Sequence, residues 1–342
     1  MRPMSFPQEL TDSDLFVDLA PLLGHALQMK CEGLNLGGSI KLRAAASMVA
    51  AAESSRLLRE DSVLVESSSG NLGVALSVIA ANKGLRFTCV TDARCNRTTA
   101  ATMRALGAEL LVVEEPDPEG GYLKARLDRV RALCAEDDRY VWLNQYTNPA
   151  NWGAHYEATA PSILKHLPDV DVLFVGVGTG GTAMGCARYF RDSGSHARLV
   201  AVDAVGSVTF GQVPGPRLIP GLGASVLPPL FDPEIFDDLV EVAELDTIRL
   251  CRTLASHGML FGGSTGTVVA GALQWLERYD RGRTLSSVCI SPDMGDRYLT
   301  TIYDDRWALD NFGPEALLPL RPPHPIGPVR LVRSAAGAPD LG

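Results

Sequence analysis

One lysine in this sequence lies in a setting that favours amine chemistry. Lys41 follows Asn35-Leu-Gly-Gly-Ser-Ile and precedes an alanine-rich stretch, residues 44–53, with the composition of a helix. The positive end of a helix dipole disfavours an ammonium group, so a neutral, reactive amine is easier to obtain there. Because most lysines at helix starts are solvated surface residues, the local pattern leaves both interpretations open.

A serine-rich loop follows a predicted strand and begins a predicted helix. Its sequence, Glu66-Ser-Ser-Ser-Gly-Asn-Leu-Gly, supplies the hydroxyl groups of Ser67, Ser68 and Ser69 and the amide of Asn71. Hydroxyl groups and backbone N–H groups at a helix N-terminus suit a carboxylate or a phosphate. A helix N-cap with spare serines explains the same pattern equally well.

A glycine-rich loop, Gly176-Val-Gly-Thr-Gly-Gly-Thr, also lies between a predicted strand and a predicted helix. It matches G-x-G-x-x-G, and Asp203 ends the next predicted strand, which is close to the fingerprint of dinucleotide-binding proteins. Because Gly180, Gly181 and Thr182 bunch at the turn, the loop suits one terminal phosphate equally well. The local pattern does not distinguish the two.

Composition and charge narrow the class of protein. Of 342 residues, 46% are hydrophobic and 21% are charged, which excludes a disordered or fibrous protein and fits two domains. A net charge of −9 argues against a nucleic-acid surface. The N-terminus lacks the features of a signal peptide, and no apolar run reaches the roughly 20 residues that span a bilayer, so we expect a soluble, cytoplasmic protein. The scattered cysteines and histidines predict neither disulfides nor a metal site.

Strand-like and helix-like runs alternate along the chain, which is typical of parallel sheets with crossover helices. The predicted strands are residues 62–66, 87–91, 110–113, 172–177, 198–203 and 287–291. The predicted helices are residues 73–82, 98–106, 121–134 (with Leu123, Leu127 and Val130 on one stripe), 183–190, 246–257 and 267–279. Two further small-residue loops, 262–267 with Ser264 and 293–298, are weak signals individually. From Pro314 onward we expect a loose tail.

In their order and separations, these loops resemble those of the fold-type II pyridoxal-phosphate enzymes of the cysteine synthase family. The resemblance covers roughly residues 15–310 and is carried by the lysine motif, the serine-rich loop with Asn71, the glycine-rich loop and Ser264. The dinucleotide interpretation explains neither Lys41 nor Asn71.

The resemblance implies an α/β fold of the tryptophan synthase β type, with two three-layer α/β/α domains and mostly parallel sheets. We expect a smaller, mobile domain at residues 36–148 that carries the serine-rich loop, which is also called the Asn71 loop below. A larger domain, which would bind the cofactor phosphate, comprises residues 1–35 and 149–313, and a Pro/Gly/Ala-rich tail occupies residues 314–342. The family is typically homodimeric, and the resemblance implies a homodimer here.

The resemblance also implies roles toward pyridoxal 5'-phosphate (PLP). Lys41 would form the internal aldimine and later move the Cα proton, and Asn71 would hydrogen-bond the ring oxygen of the cofactor. Ser264 would face the pyridine nitrogen, where a hydroxyl leaves that nitrogen largely unprotonated and favours β-elimination over transamination. Five residues would hold the cofactor phosphate: Gly178, Thr179, Gly180, Gly181 and Thr182.

Within the family, residues 113–123, 142–146 and 201–207 resemble a branch that joins O-phospho-L-serine to L-glutamate, a step towards L-2,3-diaminopropionate. Arg126 matches the position that this branch uses with the phosphorylated serine, and a guanidinium binds phosphate bidentately; a solvated helix charge is the alternative. Tyr146 would wall the same pocket. The residues that would grip the substrate carboxylate are Ser67, Ser68, Ser69 and Gln145.

Two residues depart from the pattern. Leu42 replaces the acidic residue that usually follows the lysine, and Gly178 replaces a serine of the branch. The nucleophile therefore stays open between glutamate, aspartate and another amine. Two other functions also remain: a cysteine synthase that uses sulfide with O-acetylserine or O-phosphoserine, and a cofactor-bound scaffold without turnover.

Overall fold

The computed structural model describes residues 15–118, 121–320 and 330–333, and it places them in two β-sheets flanked by helices. The strands are β1 (Leu15–Asp18), β2 (Leu27–Cys31), β3 (Val63–Ser67), β4 (Arg86–Asp92), β5 (Glu109–Val113), β6 (Tyr140–Trp142), β7 (Val172–Gly176), β8 (Arg198–Ala204), β9 (Asp238–Val242), β10 (Ser287–Ser291) and β11 (Arg330–Arg333). The helices are α1 (Ala20–Leu23), α2 (Lys41–Ser54), α3 (Asn71–Lys83), α4 (Arg97–Ala105), α5 (Gly121–Glu136), α6 (Pro149–Ala154), α7 (Ala160–His166), α8 (Gly181–Asp192), α9 (Glu244–Ser256), α10 (Gly263–Tyr279) and α11 (Asp305–Phe312). A π-helical turn, His155–Thr159, joins α6 to α7.

The larger sheet has seven strands in the order β11-β1-β2-β10-β7-β8-β9. The five strands from β2 to β9 in this order run parallel, whereas β1 pairs antiparallel with β2 and β11. The inner strands are apolar and buried, as expected for parallel strands covered on both faces. Loops at their carboxyl ends therefore meet at one edge of the sheet.

The smaller sheet has four parallel strands in the order β5-β4-β3-β6. Its core includes Leu42 and Met48 of α2, whereas Ile40 packs into the core of the larger sheet. Lys41 is thus flanked in sequence by Ile40, which packs in the core of the larger sheet, and by Leu42, which packs in the core of the smaller sheet. This junction fixes where α2 begins.

A close approach of α10 to the larger sheet depends on Gly271. A Cβ atom at this position would lie 2.5 Å from Val202 Cγ1 and 3.1 Å from Val242 Cγ2. Because no side chain fits there, α10 packs directly on β8 and β9. The start of this helix, which carries Ser264, is thereby fixed relative to the strand ends.

The alternation of strands and helices predicted from the sequence is present, with ends that differ by a few residues. Helices α8 and α10 begin inside glycine-rich segments that the sequence analysis treated as loops. The short strands β1, β2, β6, β9 and β11 were not predicted, and β11 lies within the predicted loose tail. In the predicted loose tail, Pro314–Leu317 forms a 3₁₀ turn in which Ala316 is buried. Within the described residues, no helix is both long and apolar enough to cross a membrane.

Candidate active site

A cleft at the carboxyl ends of the parallel strands of the larger sheet brings the lysine and the glycine-rich loop together. It holds about 330 Å³ of empty space, part of it open to solvent. Its walls are formed by Ile40, Lys41, Val175, Gly176, Gly178, Thr179, Gly180, Gly181, Thr182, Leu222, Ile290 and Pro292. The amine of Lys41 and the glycine-rich loop, which are far apart in sequence, therefore face the same space.

Lys41 is the first residue of α2, and the two residues before it form hydrogen-bonded contacts with the loop after β10. The backbone N–H of Ile40 donates to Pro292 O at 2.7 Å, and Ser39 forms a β-bridge with Asp293. Burial lowers the pKa of the Lys41 amine, and the negative charge of Asp293 opposes this shift. The neutral form of the amine is therefore favoured in the cleft, as the helix-start argument also predicts.

The glycine-rich loop has the features of an anion site. Gly180 adopts a φ of +90°, which favours glycine, and a Cβ at Gly178 would lie 3.0 Å from Gly221 O. Among the described residues, the backbone N–H groups of Gly178, Thr179 and Gly180 find no acceptor. Helix α8 begins at the next residue, so its positive end adds to these donors.

Ser264 is the second residue of α10 and is buried beside a carboxyl group. The Asp293 carboxyl lies near Ser264, its Oδ1 accepts from the backbone N–H of Thr265 at 3.0 Å, and Tyr298 donates to Asp293 Oδ2 at 2.6 Å. Burial raises the pKa of Asp293, and the hydrogen bonds from Tyr298 and Thr265 oppose this shift. A buried acid with no predicted role thus lies near the serine whose hydroxyl is predicted to face a pyridine nitrogen.

The Asn71 loop connects β3 to α3. Asn71 begins α3, and its Oδ1 accepts a hydrogen bond from Arg297 Nη1. The Ser68 hydroxyl accepts from Gly73 N at 3.0 Å and Gly70 N at 3.2 Å, so it shapes the turn itself. Ser67 is buried at the end of β3.

Arg126 lies on the buried face of α5. The predicted apolar stripe of this helix was Leu123, Leu127 and Val130, but the residues that are buried are Arg126, Val130 and Leu133. Arg126 Nη1 donates to Ser69 Oγ at 2.9 Å. The alternative that Arg126 is a solvated helix charge is therefore wrong.

Gln145 and Tyr146 follow β6 and lie beside the same loop. Gln145 Nε2 donates to Ser67 O at 2.9 Å, and its backbone N–H donates to Glu66 Oε2 at 3.1 Å. Burial raises the pKa of Tyr146 to about 12 and that of Glu66 to about 7, the latter against hydrogen bonds from Ser67 N, Trp142 Nε1 and backbone N–H groups. Glu66 thus joins the serine-rich loop to Gln145, which sequence reasoning did not predict.

Two further residues support the glycine-rich loop from behind. Asn151 Nδ2 donates to Thr179 Oγ1 at 3.2 Å, and His155 Nε2 lies 3.2 Å from Thr182 Oγ1. From the sequence, the scattered histidines predicted no metal site, and no role was predicted for His155 or Asn151. A spacing of four residues, Asn151-Trp-Gly-Ala-His155, was the available signal, because it places both side chains on one helical face.

Comparisons with known proteins agree with this geometry. A family model described as pyridoxal-phosphate dependent enzyme matches residues 16–290. Two curated relatives are each named N-(2-amino-2-carboxyethyl)-L-glutamate synthase. The one from Ralstonia nicotianae is 42% identical over 280 residues, or 81% of this chain and 82% of that protein. The one from Cupriavidus metallidurans is 41% identical over 297 residues, or 85% and 87% respectively.

Solved structures of three enzymes have a similar fold. A hydrogen sulfide-producing enzyme from Fusobacterium nucleatum has a TM-score of 0.80 and 31% identity, and the match covers 87% of this chain and 100% of that one. An O-acetylserine dependent cystathionine beta-synthase from Helicobacter pylori has a TM-score of 0.80 and 28% identity, over 89% and 100%. An O-ureido-L-serine synthase has a TM-score of 0.80 and 30% identity, over 89% and 96%.

Proposed function

The chain belongs to the family of pyridoxal-phosphate dependent enzymes, and on this basis we propose that it joins O-phospho-L-serine to L-glutamate. The products would be N-(2-amino-2-carboxyethyl)-L-glutamate and phosphate. The Cβ–O bond of O-phosphoserine breaks, phosphate leaves with its electron pair, and the glutamate nitrogen loses a proton as it bonds to Cβ. The names of the two synthase relatives support this product.

The donors that line the cleft, together with Asn71 and Ser264 outside its lining, fit PLP, which presents an aldehyde, a phosphate, a ring oxygen and a pyridine nitrogen. Lys41 offers an amine whose pKa is lowered by burial, and the glycine-rich loop offers N–H groups at the start of α8. Asn71 and Ser264 offer an amide and a hydroxyl for the ring oxygen and the ring nitrogen. When bound, PLP stabilises negative charge at the substrate Cα, and β-replacement depends on this stabilisation.

Lys41 would have two tasks. Its amine attaches the cofactor, and the same amine removes the proton at the substrate Cα and returns it there. Both tasks require the neutral form, which burial favours. The serine-rich loop and Gln145 would bind the substrate carboxylate, and closure of the smaller domain over the cleft would exclude water from the reacting carbon.

The position of Arg126 is the observation that carries the choice of O-phosphoserine. Its guanidinium is buried and donates to Ser69 of the Asn71 loop, whereas Lys124 and Arg129 of the same helix are exposed. Arg126 Nε is buried and has no acceptor among the described residues. A guanidinium with an unused N–H group suits a phosphate ester, which is an anion, better than an acetyl ester, which carries no charge.

Steady-state kinetics with O-phospho-L-serine and O-acetyl-L-serine, each combined with L-glutamate, test this choice. We expect Arg126→Gln to lower kcat/KM for O-phosphoserine by about 10- to 100-fold, the effect of one lost charge-assisted hydrogen bond. The value for O-acetylserine should change much less, and Arg129→Gln, an exposed control on the same helix, should affect neither. Equal losses with both donors would contradict the role of Arg126. Product formation with sulfide but not with glutamate would identify a cysteine synthase instead.

The proposal also covers the oligomeric state of the protein, its cellular compartment and its division into domains. By resemblance to the family we propose a homodimer, with residues 36–148 as a smaller domain that closes over the cleft. All seven cysteines are described and none forms a disulfide, which supports a reducing compartment such as the cytoplasm. Light scattering after size-exclusion chromatography tests the dimer, and the mass of a single chain would contradict it.

A further inference from the structure

We propose that Asn151 and His155 are positioning residues that orient the hydroxyl groups of Thr179 and Thr182 toward the phosphate of the cofactor. The inference rests on the cofactor class of the proposed function but not on the choice of O-phosphoserine or glutamate as substrate. Both residues are almost completely buried, with exposed fractions of 3% and 1%. They lie behind the glycine-rich loop rather than in the cleft that it lines.

The hydrogen bonds of Asn151 have only one possible direction. Its Nδ2 donates to Gln145 O at 2.7 Å and to Thr179 Oγ1 at 3.2 Å, so both of its hydrogens are in use. An amide nitrogen cannot accept, and therefore the Thr179 oxygen is the acceptor. The hydroxyl hydrogen of Thr179 stays free to donate elsewhere, and the oxygens of a phosphate dianion can only accept.

His155 can act in the same way on Thr182. Its Nε2 lies 3.2 Å from Thr182 Oγ1, and its Nδ1 lies 3.0 Å from Thr159 Oγ1. Burial, together with the charge of Arg43, lowers the pKa of His155 well below its usual value, so the ring is neutral near pH 7 and carries one N–H.

A phosphate at the glycine-rich loop selects one of the two tautomers. With the hydrogen on Nε2, His155 donates to Thr182, Thr182 donates to the phosphate, and Nδ1 accepts from Thr159. With the hydrogen on Nδ1, the Thr182 hydroxyl would have to donate to the ring and would turn its lone pairs toward an anion. With the hydrogen on Nε2, every donor and acceptor in the chain Thr159–His155–Thr182–phosphate has a partner. Bound phosphate and the Nε2–H tautomer therefore stabilise each other.

Two glycines of α8 allow this close support. A Cβ at Gly181 would lie 2.1 Å from Asn151 Oδ1, and a Cβ at Gly185 would lie 2.7 Å from His155 Cβ and 2.2 Å from Trp152 O. The glycines are four residues apart, as are Asn151 and His155, so two helical faces meet at matching positions. The π-helical turn begins at His155, and such turns are frequent at functional sites.

Cofactor binding to the apo protein tests the proposal without any substrate. PLP is compared with pyridoxal, which lacks the phosphate, by titration of the apo protein and absorbance of the bound cofactor. We expect His155→Phe and Asn151→Leu each to weaken PLP binding by about 10- to 100-fold and to change pyridoxal binding much less. His155→Gln, whose amide can still donate to Thr182, should recover part of the loss.

His25→Phe is the matched control, because His25 is another buried histidine and lies beside Asp280, away from the cleft. It should leave the ratio of PLP to pyridoxal affinity unchanged. Equal weakening of both ligands in His155→Phe would indicate a merely structural role and would overturn the proposal. So would unchanged PLP affinity.

One measurement needs no variant and covers the case in which His155→Phe fails to fold. ¹⁵N NMR of histidine-labelled protein with PLP bound reports which ring nitrogen of His155 carries the hydrogen. The proposal requires the Nε2–H form, and an Nδ1–H form would contradict it. If PLP binds with the expected pattern but glutamate is not a substrate, the proposed function fails while this inference stands.

Discussion

Arg126 Nη1 lies 3.1 Å from Asp92 Oδ2, and both side chains are buried at the carboxyl ends of the smaller sheet. The same nitrogen donates to Ser69 Oγ, so the ion pair is joined to the Asn71 loop. Asp92 thereby compensates the charge of Arg126 and fixes the direction of its guanidinium. A phosphate ester that binds Arg126 must do so through N–H groups that Asp92 leaves unused.

Replacing Asp92 should destabilise the protein strongly. We expect Asp92→Asn to lower the free energy of unfolding by about 3 kcal/mol, because a buried guanidinium keeps its charge and loses its counter-ion. Denaturant titration at pH 7 measures this change. Asp128→Asn is the control, since Asp128 is exposed and pairs with Lys124 and Arg131 at the surface, where ion pairs contribute little. A loss in the control as large as that in Asp92→Asn would contradict this account of the buried pair.

The buried Glu66 should make stability depend on pH. Its pKa is raised from 4.5 to about 7, so the folded state binds the proton more tightly than the unfolded state does. The resulting stabilisation is complete below about pH 4.5 and is lost as the pH rises through 7, an effect of about 3 kcal/mol.

Unfolding titrations from pH 4.5 to 8 on the wild-type protein and on Glu66→Gln measure this contribution. Other buried acids, such as Asp203, also titrate in the wild type, so the difference between the two proteins is the informative quantity. The stability of the wild type relative to the variant should fall as the pH rises. A difference that does not change with pH would show that Glu66 titrates normally.

The packing of α10 predicts opposite effects at two helical glycines. Gly271→Ala should destabilise the protein by about 1–3 kcal/mol, because the new Cβ would overlap Val202 of β8. Gly153→Ala in α6 meets no atom within 4 Å and should be neutral or stabilising by up to about 1 kcal/mol, since alanine favours a helix. Thermal or chemical unfolding of both variants provides the comparison, and a Gly271→Ala variant as stable as the wild type would contradict the packing of α10.

Much of the site could be predicted from the sequence because it lies at strand ends. The glycine-rich loop follows a predicted strand, the resemblance assigned this loop and Lys41 to one cofactor, and the structure places both in the lining of one cleft. The order of these loops also identified the family, because a lysine, an asparagine loop and a phosphate loop together are far more specific than any of them alone.

The residues behind the loops could not be predicted. Arg297 lies 226 positions from the Asn71 that it contacts, and Asp293 binds Thr265 at the start of α10 only because α10 and the end of β10 pack together. Such pairings depend on the tertiary fold and leave no local periodicity. Arg126 shows the same limit, because apolar spacing placed Leu123 and Leu127 on the buried face of α5, whereas the structure buries the arginine.

The central claim is tested most directly by mass spectrometry of the product formed from O-phospho-L-serine and ¹⁵N-labelled L-glutamate by the PLP-loaded enzyme. We predict one product that retains the label, has the mass of N-(2-amino-2-carboxyethyl)-L-glutamate and appears in a one-to-one ratio with released phosphate. Recovery of all the label as unchanged glutamate, with any released phosphate matched by pyruvate, would contradict it.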